Sequence, residues 1–253
     1  MHNAAFRHLG MNWSYVAFDV APPDLGAVMA GLAASGVVGV NVTVPHKTRA
    51  ARLLRRLDPV ARKIGAVNTI VFSDPPRGFN TDGHGLLEAL RLDFGFKPRN
   101  KTIAIVGCGG AGQAAAVSLA LAGARKLILL NRTAARARRL ARRIRSLSKK
   151  TKITLEAEPC DLLINATSAG LKNTDGLPLT GVALRTLNPR YFFDMVYRPP
   201  LTPLMKTLQK QGARTANGLE MLLRQGARSF QLWTDRRAPV DVMRRALKKE
   251  IYG

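Results

Sequence analysis

Lys101-Thr102-Ile103-Ala104-Ile105-Val106-Gly107-Cys108-Gly109-Gly110-Ala111-Gly112 runs from an apolar stretch straight into a glycine-rich turn. The run KTIAIVG lacks the polar alternation of a strand with one wet face, so it reads as a strand buried on both sides. QAAAVSLALAGA follows with helical patterning, and KLILLN at 126–131 reads as a second apolar strand. Strand, turn, helix and strand in that order open a βαβ unit and imply a parallel sheet. Glycines at 107, 109 and 112 reproduce the G-x-G-x-x-G spacing, which serves a tight turn, close approach of a pyrophosphate and close helix–strand packing. The backbone of Gly107, Gly109, Gly110, Ala111 and Gly112 is therefore the candidate phosphate cradle at the positive end of a helix. This segment predicts a dinucleotide-binding domain.

The second strand ends at Asn131-Arg132-Thr133. An NAD-selective protein usually places an acidic residue there against the ribose 2′-hydroxyl, and none is present. Arg132 can stack on adenine and neutralise a 2′-phosphate, while Asn131 and Thr133 can hydrogen-bond it, so NADP is the expected cofactor.

Outward from this core, WSYVAFDV at 13–20 and VVGVNVTV at 37–44 read as strands flanking a helix over 24–34. A basic helix is expected over 48–57, a short helix over 60–64, a strand at 67–72 and a loop, SDPPRGF, at 73–79. Asp82 then opens a helix carrying Leu86, Leu87 and Leu90. Downstream, LLINAT at 162–167 and YFFDMVY at 191–197 continue the parallel sheet, and the chain from 217 onward reads as two helices. The composition shifts near Gly83, which marks the first domain crossing.

With 253 residues and 46% hydrophobic content, the chain can bury the cores of two moderate α/β domains. No apolar run of roughly 18 residues occurs, and Met1-His2-Asn3 opens no charged-then-apolar leader, so a cytoplasmic location is expected. Cys108 and Cys160 are too few for a disulfide framework, and no His or Cys sits at metal-ligand spacing, so no metal is expected. The charge is unusual: 40 Lys plus Arg against 16 Asp plus Glu gives +24. A quarter of the cations lie at 132–152, in RTAARARRLARRIRSLSKKTK, an amphipathic helix with a basic outer face followed by a basic loop. A solvated face is the expected reading, with no nucleic-acid or membrane partner. The same field would steer an anionic substrate and cofactor toward the protein.

Three further stretches carry chemistry. Asn41-Val42-Thr43-Val44-Pro45-His46-Lys47 places a lysine just beyond a strand end, and Gly65-Ala66-Val67-Asn68-Thr69 and Asn80-Thr81-Asp82-Gly83 add polar groups at element ends. These resemble the NVTxPxK, GAxNT and NTDxxG motifs of the shikimate dehydrogenase family. The resemblance continues in the same order through GCGGAG, NRT at 131, NATSAG at 165, DMVY at 194 and NGLEMLLRQGA at 217, and covers nearly the whole chain.

The resemblance implies two α/β domains. Residues 1–82, completed by C-terminal helices at 218–253, would form the substrate-binding domain, and 83–217 the Rossmann-type NADP domain. It implies that Lys47 and Asp82 are the catalytic pair at the reacting hydroxyl. The physical logic agrees, because loss of hydride leaves an alcohol proton that needs an acceptor, and an amine beside a carboxylate can relay it. It implies further that Asn68 and Gln225 bind ring hydroxyls, that Thr43 lines the same pocket and that Tyr197 reaches the substrate carboxylate. Thr167, Met195 and Gly218 would border the cofactor, the last two at the nicotinamide.

The implied reaction is reversible NADPH-dependent reduction of 3-dehydroshikimate to shikimate, a step of aromatic amino-acid and chorismate biosynthesis; a homodimer is compatible with it. Family members ordinarily carry a strand and a Ser-x-Ser segment ahead of the MHNAAF-like helix, so Met1 is expected to be a truncated or misassigned start with weakened carboxylate binding. A quinate-oxidising relative and a degenerate cofactor-fold protein that binds polyanions are the two other readings. Intact Lys47 and Asp82 disfavour the second.

Overall fold

The computed structural model describes residues 1–171, 178–179 and 181–253. The chain divides into two compact units, Met1–Gly85 with Leu223–Gly253, and Leu86–Leu222.

The first unit contains α1 (His2–His8), α2 (Leu25–Ala34), β1 (Gly39–Asn41), α3 (Lys47–Leu53), β2 (Arg56–Leu57), α4 (Pro59–Ile64), β3 (Thr69–Val71), β4 (Arg77–Phe79) and the start of α5 (Asp82–Phe94). Its sheet has the order β1-β3-β4-β2, with β3 antiparallel to both neighbours and β2 parallel to β4. Leu25, Met29, Val42, Ala50, Ala61, Val67 and Ile70 form a core between α2, α3, α4 and this sheet. Helix α4 starts because the Asp58 carboxylate accepts from the Val60 and Ala61 amides, and it stops at Gly65, whose φ of 72° suits glycine.

Several expectations for this unit need correction. Residues 13–20 form no strand. Their alternation of apolar residues meets no ladder partner, since β1 ends the sheet order and pairs only with β3. Side chains tether the segment instead. The Tyr15 amide donates to Asn3 Oδ1 (2.6 Å), the Asn3 amide donates to the Tyr15 carbonyl (2.9 Å), and the Tyr15 hydroxyl donates to Asn41 Oδ1 (3.1 Å). Trp13, Val16 and Phe18 are left exposed. The helix expected over 48–57 ends at Leu53, because Leu54 is extended and leads into β2. The expected loop at 73–79 contains β4, which Gly78 permits: a Cβ there would crowd Leu54, Leu57 and Val67.

The second unit runs through the rest of α5, then β5 (Thr102–Val106), α6 (Gly110–Leu121), β6 (Lys126–Leu130), α7 (Ala134–Leu147), β7 (Lys152–Thr154), β8 (Leu162–Asn165), α8 (Gly181–Leu187), β9 (Tyr191–Asp194), α9 (Pro203–Lys210), β10 (Arg214–Asn217) and the first turn of α10 (Leu219–Thr234). The remainder of α10 and α11 (Val240–Tyr252) belong to the first unit. The six strands of the second unit are all parallel, in the order β10-β9-β8-β5-β6-β7. This is the doubly wound α/β pattern expected from the apolar strands, with β5 wholly buried.

The register aligns Val106 with Leu130 and Asn165, Asn165 with Asp194, and Asp194 with Asn217. Five strands therefore end along one line. In such sheets ligands bind beyond the carboxyl ends of the strands. Strands β8 and β9 are shorter than expected because Asn165 and Asp194 fold their side chains onto the backbone two residues ahead, accepting from the Thr167 and Val196 amides, and so end the ladders. β7 begins at Lys152, the last residue of the expected basic loop after α7, and β7, α8, α9 and β10 lie in stretches whose patterning had suggested no element.

His2 is buried against the rings of Tyr15 and Trp233, its Nδ1 without a hydrogen-bond partner among the described residues. Burial foremost, then the neighbouring chain-terminal amine, pushes its pKa down from 6.5 to about 3. A base whose folded pKa is depressed contributes full stability above its unfolded value and loses it as pH falls through 6.5 toward about 3. Urea midpoints should therefore fall between pH 7 and pH 4.5, and His2→Phe should flatten that decline. An unchanged slope in the variant would rule out His2 as its source.

Candidate active site

In the first unit, Lys47 opens α3 and Asp82 opens α5, two helix starts that the turns around β1 and β4 bring together. Lys47 Nζ lies 2.7 Å from Asp82 Oδ2, with the two side chains 20% and 11% exposed, sheltered yet reachable from solvent. The other carboxylate oxygen, Asp82 Oδ1, accepts from the Asn68 amide at 2.8 Å. Asn68 is held in turn, since its Oδ1 accepts from the Thr81 backbone amide at 2.7 Å. Its Nδ2 also approaches Gln225 Oε1 at 3.3 Å, which brings α10 into the same cluster. Lys47, Asp82, Asn68 and Gln225 thus stand together. Thr43 is exposed at the turn after β1, where its carbonyl accepts from the His46 amide; among the described residues no hydrogen bond joins its side chain to the cluster.

Behind these groups lies a buried polar layer that motif reading missed. Ser229 Oγ sits 2.8 Å from Thr69 Oγ1 and 3.3 Å from Thr81 Oγ1, and it accepts from the Asn41 amide at 3.0 Å. The available signal was positional: Ser229 follows Gln225 by four residues on one helix, and hence shares its face. The arrangement fixes a carboxylate between an amine and an amide while leaving further N–H bonds of the amine for a ligand. That is what holding and moving a proton at a substrate hydroxyl requires.

In the second unit the glycine turn leaves the end of β5. Gly107, at φ 97°, donates its amide to the Leu130 carbonyl at 2.8 Å. A Cβ on Gly112 would overlap the Gly107 carbonyl, whereas a Cβ on Gly109 or Gly110 would meet nothing within 4 Å. The first pair sets the tightness of the turn, and the second leaves open space before the N-terminus of α6, as a pyrophosphate needs. Ala111 lies in the first turn of that helix.

Asn131 Oδ1 accepts from the Cys108 amide (2.9 Å) and its Nδ2 donates to the Thr133 carbonyl (2.9 Å), so this side chain braces the turn against the end of β6. Arg132 and Thr133 are exposed beside it. Thr167 donates to Asn165 Oδ1 at 2.7 Å, and its methyl group closes on Gly107. Met195 and Gly218 meet at the ends of β9 and β10, where a Cβ on Gly218 would overlap the Met195 carbonyl. Tyr197 is exposed two residues beyond Met195.

Asp194 secures these loops. Its carboxylate is buried and accepts from Thr202 Oγ1 (2.7 Å), Asn165 Nδ2 (2.9 Å) and the Val196 amide (3.0 Å), while burial raises its pKa. Burial also pushes the Cys108 and Cys160 thiols up to about 11 and about 12, which leaves almost no thiolate near neutral pH.

A parallel sheet with a glycine-rich turn open for pyrophosphate, together with an amine–carboxylate pair on the other unit, defines the class of dinucleotide-dependent oxidoreductases. Family models refine this. Residues 1–70 match the shikimate dehydrogenase substrate binding domain, 91–219 the shikimate/quinate 5-dehydrogenase family and 218–248 the shikimate 5′-dehydrogenase C-terminal domain. A shikimate dehydrogenase (NADP+) of Methanopyrus kandleri is 42% identical over 99% of this chain and 90% of its own.

Among solved structures, a shikimate dehydrogenase in complex with NADP+ superposes with a TM-score of 0.91 at 38% identity, covering 100% of this chain and 90% of that one. The Thermus thermophilus shikimate 5-dehydrogenase in complex with NADP(H) and shikimate has a TM-score of 0.87 at 33% identity, covering 98% and 92%. The chain belongs to the shikimate dehydrogenase family.

Proposed function

We propose that this chain catalyses the reversible NADP(H)-dependent interconversion of 3-dehydroshikimate and shikimate in the cytoplasm. The observation that carries the reading is the Lys47–Asp82 pair, 2.7 Å apart and anchored through Asn68, in a chain whose other unit offers an open glycine cradle beside Arg132. NADP(H), when bound, supplies or accepts the hydride. The chain's own residues handle the proton. In the reducing direction Lys47, protonated, polarises the ketone oxygen and donates its proton there; in the oxidising direction the amine takes the hydroxyl proton. Asp82 orients that amine and accepts from the substrate hydroxyl. Asn68 and Gln225 bind neighbouring ring hydroxyls, Thr43 lines that pocket, and Tyr197 reaches the substrate carboxylate.

Gly107 to Gly112 hold the pyrophosphate, with Thr167, Met195 and Gly218 along the same strand ends. Arg132 and Thr133 meet the 2′-phosphate, with Asn131 keeping them in place. NADPH oxidation followed at 340 nm should proceed with 3-dehydroshikimate and be far slower with 3-dehydroquinate or with NADH. Arg132→Ala should raise the KM for NADPH about 10- to 10²-fold, the loss of charge-assisted hydrogen bonds worth about 1.5–3 kcal/mol, and leave the weak NADH rate unchanged. Equal losses with both cofactors would remove Arg132 from the 2′-phosphate site. Faster turnover of 3-dehydroquinate would make the substrate quinate-like.

A further inference from the structure

Helix α7 buries Ala137, Leu140, Ala141 and Ile144. The opposite half exposes Arg136, Arg138, Arg139, Arg142 and Arg145, and exposed Lys149, Lys150 and Lys152 extend the positive run. Residues 132–152 contain no Asp or Glu. Lys47, Arg91, Lys101 and Lys126 each pair with a carboxylate, but among the described residues Arg138, Arg139, Arg142 and Arg145 pair with none. Three- and four-residue spacing stacks these guanidinium groups next to one another, where like charges destabilise a helix. Arg145 donates to the Ile153 carbonyl (3.4 Å), and an external polyanion would relieve the remaining like-charge repulsion along this face.

We propose that the exposed face of α7 binds the phosphate backbone of double-stranded nucleic acid. Arg138, Arg142 and Arg145 lie on one side at successive rises of about 6 and 4.5 Å, a ladder that can meet consecutive phosphates. Guanidinium forks suit phosphate oxygens. A membrane surface fits less well. A helix lying in a lipid interface needs apolar anchors beside its cations, and of the large apolar residues of α7, Leu140 and Ile144 are committed to the core and only Leu147, at the last turn, is half-buried. The net charge of +24 adds long-range attraction toward any polyanion, so the specific content of the proposal is where the contact forms.

The test is fluorescence anisotropy of a labelled 20-base-pair DNA duplex against the full chain over a KCl series. Two triple variants are compared: Arg138→Glu, Arg142→Glu, Arg145→Glu on α7, and Arg245→Glu, Lys248→Glu, Lys249→Glu on α11, which change net charge equally at exposed positions. The α7 triple should lose roughly 30-fold or more in affinity at 0.1 M salt and flatten the log–log salt slope by about 2.7, the share of three phosphate contacts. The α11 triple should lose only a few-fold. NADPH oxidation by both triples shows that they fold. Equal losses in the two triples would reduce the binding to bulk charge and overturn the proposal, as would absence of duplex binding by the unaltered chain at 0.1 M salt. Tighter binding to phosphatidylserine vesicles than to duplex would overturn it in favour of a lipid surface.

Discussion

Lys47→Ala is expected to lower kcat for 3-dehydroshikimate reduction by about 10²- to 10⁴-fold, the range that a positioned general acid contributes. The truncation removes the group that delivers the proton and also leaves the Asp82 carboxylate, 11% exposed, with the Asn68 amide as its one side-chain partner among the described residues. NADPH binding should be unaffected, because the glycine cradle belongs to the other unit. Quenching of NADPH fluorescence with the Lys47→Ala protein therefore separates lost chemistry from lost folding. Asp82→Asn should cost a comparable factor, and the double variant little more than either alone, because the two side chains act as a unit. A Lys47→Ala enzyme within threefold of the parent kcat would falsify the assignment. So would additive losses in the double variant, since they would mean that the 2.7 Å pair is not one catalytic device.

Gly112→Ala carries the second large effect. The new methyl would overlap the Gly107 carbonyl oxygen and stand 3.4 Å from the Ala166 side chain, and the first of these contacts is rigid backbone. The turn must open or α6 must shift from β5, at a cost of about 3 kcal/mol, the upper end for overpacking a well-filled site. If all of it falls on the cofactor-binding conformation, the dissociation constant for NADPH rises roughly 10²-fold. The neighbouring Gly110→Ala meets open space and serves as the contrast in the free protein. Fluorescence titration and thermal midpoints of both variants read the difference. Parental affinity and midpoint for Gly112→Ala would show that the close approach of α6 to the turn is dispensable.

Legibility followed the range of the interactions involved. The βαβ core was readable because a strand buried on both faces must be apolar throughout, and because the spacing of Gly107, Gly109 and Gly112 answers to local geometry. Residues 13–20 misled for the complementary reason. Their alternation is a true strand signal, but a strand exists only when another backbone accepts its hydrogen bonds, and here Asn3 and Asn41 side chains take that place. β4, β7 and β10 went unnoticed because runs of three or four residues, the last two of them at sheet edges, carry too little pattern. In the site, Lys47 and Asp82 stood out through their motifs. Ser229 did not, and Asn41 was legible only as the first residue of its motif, because their contact joins positions 188 apart in the chain. Asn131 gained a structural task that sequence did not suggest, since its side-chain oxygen accepts from the Cys108 amide and braces the turn.

By itself, the sequence determined the α/β class, the glycine-rich turn, the lack of an acidic residue after the second strand, and the motif positions of Lys47, Asp82 and Asn68. These depend on spacing and residue chemistry within a few turns of chain. Only the tertiary structure decided that Lys47 and Asp82 touch and that Thr69, Thr81 and Ser229 form the layer behind them. It alone decided that Arg138, Arg139, Arg142 and Arg145 of α7 share one exposed face. Such pairings are made by segments far apart in sequence, and burial, which excludes water and demands a partner for each polar group, selects among them only once the chain has folded.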